Sequence, residues 1–203
     1  GGRMFEITDR VAPATLARVT GGFYVAYMAA SVLADSLGHI GLGDAQQVYG
    51  AITTNPWQFR WGLATAFVSA FLFLMAAWGL YVLLRTVNHD LALLFLLLNA
   101  IGVGIQCASQ LQLLAAMLRA DPTSGLVAFP PAQVEGLTYL AINVYKIGFV
   151  TAQLFFGMWL FPLGYLVLKS GFLPRVLGVL LLLDGIAELV WFTQALLLPA
   201  YPA

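Results

Sequence analysis

"WGLATAFVSAFLFLMAAWGLYVLL", residues 61–84, decides the fold. It contains no charged residue, and its apolar side chains run continuously instead of alternating with polar ones. The hydrocarbon core of a bilayer, about 30 Å thick, takes about 20 helical residues to cross. Within lipid every backbone N–H and C=O must find a partner inside the protein, which a helix provides and an open strand does not. The stretch therefore reads as a membrane-spanning helix.

Four further stretches have the same character: residues 15–37, 91–118, 137–168 and 174–198. The expected fold is all-α, a polytopic transmembrane helical bundle with five spans, forming one domain over residues 15–198. The composition agrees. Of 203 residues, 61% are hydrophobic and 9% charged, with a mean hydropathy of +0.89. Soluble domains carry about 25% charged residues, so this chain has too few to coat a globule with water-facing side chains.

Nine basic and nine acidic residues balance to zero net charge. No basic stripe is present to neutralise phosphates, which excludes a nucleic-acid partner. Cys107 is the single cysteine, so no disulfide framework exists. Residues 1–14 form an N-terminal tail, in which Gly1-Gly2-Arg3 ahead of Met4 reads as an added leader; no secretory signal is expected. Residues 199–203 are a short C-terminal tail.

Loop charges predict the orientation. Arg3, Arg10, Arg18, Arg85, Lys169 and Arg175 fall at one face, Arg60 and Arg119 at the other. The positive-inside rule then places the N-terminus in the cytoplasm and, after five crossings, the C-terminus outside. The expected location is a bacterial cytoplasmic membrane, with the lipid bilayer as the first partner. The turns "RTVNHD" and "KSGFLPR" are short, which predicts packed antiparallel hairpins of spans two–three and four–five. Gly171 suits a helix-ending left-handed conformation and Pro174 a first helical turn. Between spans one and two, "GDAQQVYGAI" predicts a short surface helix capped by Asp44. Trp57, Phe59 and Trp61 follow it and are expected at the headgroup level. Residues 120–136 carry turn signals at Asp121-Pro122 and Pro130-Pro131.

Two stretches carry a resemblance. "LYVLLRTVNHDLALL" (80–94) and "FFGMWLFPLGYLVLKSGFLPRVLGVLLLL" (155–183) resemble a bacterial family of small polytopic membrane proteins, the domain of unknown function 4386. The resemblance implies a helical bundle and brings no assigned activity, so no site residue is carried over from it. Such proteins continue past a turn like "LLLPAYPA" (196–203) into another helix; a sixth span is either absent or lies beyond Ala203.

Candidate functional residues come from polar groups that the hydrocarbon should not tolerate. Asp184 and Glu188 lie four apart in "GVLLLLDGIAELVWF" (178–192) and share a helix face. Glu188 stands ten residues before Leu198, a rise of about 15 Å, and Asp184 is about 6 Å deeper. A charged group at that depth costs at least about 2.5 kcal/mol. Both acids should therefore turn toward the bundle interior, being protonated, paired or wetted by a cavity. Lys146 in "LAINVYKIGF" has two readings: a partner at the depth of Glu188, or an interfacial lysine if the span begins at Ile147.

Asn143, Gln106 and Gln110 are further buried polar candidates, read first as interhelical hydrogen bonds. Asp35 and His39 would line an outer vestibule, unless they simply end a solvated helix. Gly102, Gly104, Gly148 and Ala152 are expected at close helix contacts. His39 and His89 are predicted at opposite surfaces, so they cannot share a haem or a metal, and neither a metal nor a cofactor is expected. Phosphate-binding loops and hydrolase motifs are missing.

Three functions stay open at this point. The foremost is a non-catalytic accessory or scaffold bundle in a larger membrane assembly, with membrane-protein partners or a lipid-like ligand. The others are a small proton-coupled transporter and a membrane enzyme acting on a lipid or isoprenoid.

Overall fold

The computed structural model describes residues 13–121 and 129–198. The proposed leader, Arg3 and Arg10, residues 122–128 of the 120–136 loop and the C-terminal tail lie outside the described residues. Among those described there is no strand, and six helices follow one another: α1 (Pro13–Gly38), α2 (Ala45–Thr54), α3 (Pro56–Leu84), α4 (His89–Ala120), α5 (Pro131–Ser170) and α6 (Arg175–Leu197). All but α2 are long and apolar enough to cross a membrane. The multi-pass bundle expected from the sequence is what the chain forms.

Local signals account for the element ends. Asp44 caps α2: its carboxylate accepts the Gln47 N–H at 2.8 Å while the Gln47 side chain accepts the Asp44 N–H at 2.8 Å, a reciprocal capping box. Asn55 caps α3 through the Gln58 N–H, and Asn88 caps α4 through the Leu91 N–H. Gly171 ends α5 in the left-handed region, φ 72°, where a residue without a β-carbon is at no disadvantage. Pro162 lies inside α5, which continues through it for the full 40 residues.

Packing follows the chain in part. The helices form an open row, α1–α3–α4–α5–α6, in which α1 packs on α3, α3 on α4, α4 on α5 and α5 on α6. The two edge helices, α1 and α6, make no extensive contact with one another. Contacts between α3 and α5 curl the row, so that its edges face each other across a cleft.

The core is split accordingly. One apolar cluster centres on Phe73, Phe95, Trp159 and Leu163 from α3, α4 and α5. A second, at the end carrying α2, gathers Val48, Ile52, Phe59, Leu113 and Tyr145. Phe59 is fully buried there, which corrects its expected place among headgroups; Trp57 and Trp61, on the outward side of the same turns, are exposed. Alternation around the helix explains the difference, because Phe59 is two residues from each tryptophan.

Helix α5 is longer than a bilayer is thick. Its 40 residues rise about 60 Å against a hydrocarbon core of about 30 Å. The uncharged stretch 147–168, between Lys146 and Lys169, rises about 33 Å and matches one crossing. The part before Lys146 receives α2. Tyr49 of α2 stacks on Tyr139 of α5 with ring centroids 4.6 Å apart.

Candidate functional site

A cavity of about 510 Å³ occupies the curl of the row. It begins at a rim formed by Asp35 and Leu42 and runs down α1 to Tyr24, a helix rise of about 16 Å. Its position between the two apolar clusters explains why they are separate. Where the clusters meet, the helices carry Ser31, Ser69, Gln106, Gln110 and Gln153 in place of large apolar side chains.

The floor and inner wall are aromatic. Tyr27 of α1 stacks on Phe73 of α3 with centroids 4.5 Å apart. Phe73 meets Phe156 and Trp159 of α5 edge-on at 5.2 and 5.3 Å. Such pairs contribute about 0.5–1.5 kcal/mol each beyond area burial, which makes this wall rigid. Beside it, the hydroxyls of Ser31 and Ser69 share a hydrogen bond of 2.6 Å that ties α1 to α3.

Asp184 and Glu188 line the cavity from α6. Asp184 is exposed and Glu188 is half-buried. Across the cleft from α1, Tyr24 interacts electrostatically with Asp184, and Tyr27 with Glu188. The two acids also feel each other. Neither has an ion-pair partner among the described residues.

Glycines set the depth of Glu188. A β-carbon on Gly157 would stand 3.1 Å from the Glu188 β-carbon, so α6 can lie in the groove of α5 only because that position carries none. This places the carboxylate at the cavity wall. It would otherwise be held off by a side-chain diameter.

The other predicted residues divide. Gln106 and Gln110 line the cavity together with the acids, and Asp35 lies at its rim. Asp35 also accepts the Leu42 N–H at 3.2 Å, and its carbonyl accepts the His39 N–H at 2.7 Å. It thus shapes the loop that closes α1. His39 is exposed, with φ 53°, and stays outside the cavity. Asn143 is exposed on α5, away from the site. Lys146 is half-buried and its electrostatic neighbour is Asp44, not Glu188.

Several cavity residues had no place in the sequence reading. Tyr24, Tyr27, Ser31, Ser69 and Gln153 line it, and only Gln153, an amide within a membrane span, carried a signal that could have found it. Gln110 is 2% exposed and its side-chain oxygen has no hydrogen-bond partner. Asn99 on α4 is fully buried with both side-chain polar atoms unpartnered, but it does not line the cavity. Of the small residues, Gly102 meets Phe156 and Gly148 meets Ser109, and Ala152 is fully buried. Gly104 faces open space, contrary to expectation, because it lies on the side of α4 away from α5.

No curated protein and no solved structure matches the chain. The sequence profile of one family covers residues 19–203, nearly the whole chain. With its five apolar spans, the chain belongs to the membrane-protein family described as "Domain of unknown function (DUF4386)".

Proposed function

We propose that this protein is a non-catalytic membrane bundle that holds a lipid-like ligand in the cleft between α1 and α6, and serves as an accessory component of a larger membrane assembly. The observation that carries this reading is the unpacked edge. Helices α1 and α6, which make no extensive contact with one another, flank a cavity of about 510 Å³, within the range of about 300–1,000 Å³ common for small-molecule sites. A molecule in the bilayer reaches such a cleft sideways, apolar body first among Phe73, Phe156 and Trp159, polar head beside Gln110 and Glu188. With the basic turns in the cytoplasm, the rim at Asp35 faces outward. In a bacterial inner membrane the ligand would come from the outer leaflet.

A carrier reading has one observation in its favour. Asp184 and Glu188 stand roughly 13 and 19 Å along α6 from Arg175 by helix rise, near mid-membrane, where acids often mark proton pathways. Such a carrier needs access from both faces. The rim of the described cavity lies at the α2 end.

The test is to close the cleft. Cysteines placed at Tyr24 and Asp184, in a chain with Cys107 replaced by alanine, are joined by a short bis-maleimide. Native mass spectrometry from mild detergent should show a co-purified lipid-like mass before joining and its exclusion afterwards. Equal retention in the joined protein, or no bound mass in either state, would overturn the reading.

A further inference from the structure

We infer that the cavity selects an occupant with an N–H-bearing ammonium head, a long-chain primary or secondary amine. The inference rests on the ligand-holding reading above and adds the chemistry of the head.

Three observations converge. The first is charge. Asp35, Asp184 and Glu188 line the cavity, and among the described residues no lysine, arginine or histidine does. Lys146, the nearest candidate by sequence, faces Asp44 instead. A phosphate or carboxylate head would enter a low-dielectric space holding only like charge, and would find no countercharge.

The second is the orphan acceptor. The Gln110 side-chain oxygen is buried and unpartnered. A side-chain carbonyl accepts hydrogen bonds and cannot donate one, and leaving it empty inside a protein is costly. An occupant that brings a donor would satisfy it. Carboxylates make the same demand. A quaternary ammonium satisfies the charge but has no N–H for Gln110; an alcohol satisfies Gln110 but not the charge. An ammonium with N–H bonds meets both.

The third is the wall. Tyr27, Phe73 and Trp159 form a continuous aromatic surface beside the carboxylates. Aromatic faces attract a cation within about 6 Å of the ring centroid, and more strongly when water is excluded. The same rings accept an alkyl chain.

The experiment compares heads on one chain length, using the whole protein in maltoside micelles. Dodecylammonium, dodecyltrimethylammonium, dodecanol and dodecyl phosphate are titrated by tryptophan fluorescence and counted by native mass spectrometry. Butylammonium tells a free amine from a membrane amphiphile. The expected order is dodecylammonium at least tenfold tighter than dodecyltrimethylammonium and dodecanol, with dodecyl phosphate not binding. Glu188→Gln, an isosteric change, should lower dodecylammonium affinity at least tenfold and leave dodecanol unchanged.

Dodecyltrimethylammonium, dodecanol or dodecyl phosphate binding as tightly as dodecylammonium would overturn the inference of an N–H-bearing ammonium head while leaving the lipid-like reading intact. Butylammonium binding as tightly as dodecylammonium would keep the head chemistry and overturn the lipid-like body. If no dodecyl compound binds, both fall. The wild-type series decides the inference even if Glu188→Gln fails to fold.

Discussion

Gly164 on α5 and Gly178 on α6 face each other so closely that the carbonyl of each lies about 3 Å from the point where the other's β-carbon would stand: 3.0 Å for Gly164 and 2.9 Å for Gly178. One heptad along each helix the relation repeats. Gly157 and Gly185 meet the same way, with carbonyls 3.4 and 3.1 Å from the ideal β-carbon positions. The antiparallel α5–α6 pair is thus seamed by two glycine pairs, and this close backbone approach is how membrane helices gain contact without a hydrophobic driving force.

Adding a methyl group to that seam should be costly. In Gly178→Ala the β-carbon meets the Gly164 carbonyl, a backbone atom that cannot rotate away. The expected loss is about 1–3 kcal/mol, seen as a lower melting temperature in detergent. Gly104→Ala is the control. Nothing lies within 4 Å of its β-carbon, and a mid-helix glycine replaced by alanine gains about 0.5–1 kcal/mol. Equal effects of the two changes would count against the seam.

The α1–α3 contact has its own test. A β-carbon on Gly79 would collide with the Thr20 hydroxyl, which is buried and has no partner of its own. Gly79→Ala should destabilise the pair by about 1–3 kcal/mol. Thr20→Ala, combined with it, should recover most of the loss, since it removes the hydroxyl and a methyl group. A double-mutant cycle in detergent measures the coupling, and an additive result would refute the contact.

The surface helix should answer to pH through Tyr49. Its phenol is held above the ordinary value of 10.0, first by burial, then by the charge of Glu135 and by Tyr139. The folded state therefore keeps this proton more tightly than the unfolded chain does. Its contribution is complete below pH 10.0 and is lost as pH climbs through the folded value. Melting temperatures of the wild type should fall faster than those of Tyr49→Phe between pH ~9 and pH ~11. Parallel curves would show that Tyr49 is not the group responsible.

Loss of the α2 cap should be local. Asp44→Ala removes one half of the capping box and should cost about 1 kcal/mol. Faster hydrogen exchange is expected at Gln47 and Val48, with no change at Phe95 or Leu163 in the other core cluster. A global rise in exchange would contradict this.

The five spans were legible because length and lack of charge are sufficient evidence for a crossing. Asp44 and Gly171 were legible because their roles are local, a cap and a left-handed turn. What packs against what was not. In lipid the outer face of a helix is as apolar as its inner face, so the exposed Val68, Phe71 and Ile101 look no different in sequence from the buried Phe73 and Phe95. The open row, and hence the cleft, left no trace for that reason. Lys146 was ambiguous because α5 overshoots the bilayer and sequence alone does not say where the membrane begins. The glycine seam was written in the spacing 157, 164, 178, 185, but only the pairing of α5 with α6 gives the spacing its meaning.

Gln110 offers the sharpest separation between a structural and a ligand-binding role. If its amide were there to join helices, replacing it with leucine would break a hydrogen bond and cost about 1 kcal/mol. Its oxygen has no such bond, and it is almost wholly buried. In the empty protein that oxygen is a liability of about 1–3 kcal/mol, because its water partners are gone and nothing replaces them. Gln110→Leu should therefore raise the melting temperature of lipid-stripped protein. The same change removes the acceptor the occupant needs, so added dodecylammonium should raise the melting temperature of the wild type and scarcely move that of the variant. Ligand stabilisation grows with the logarithm of ligand concentration relative to Kd, so the two melts, with and without ligand at one concentration, report affinity. A variant that is less stable when empty, or that gains as much from the amine as the wild type, would place Gln110 among the structural amides.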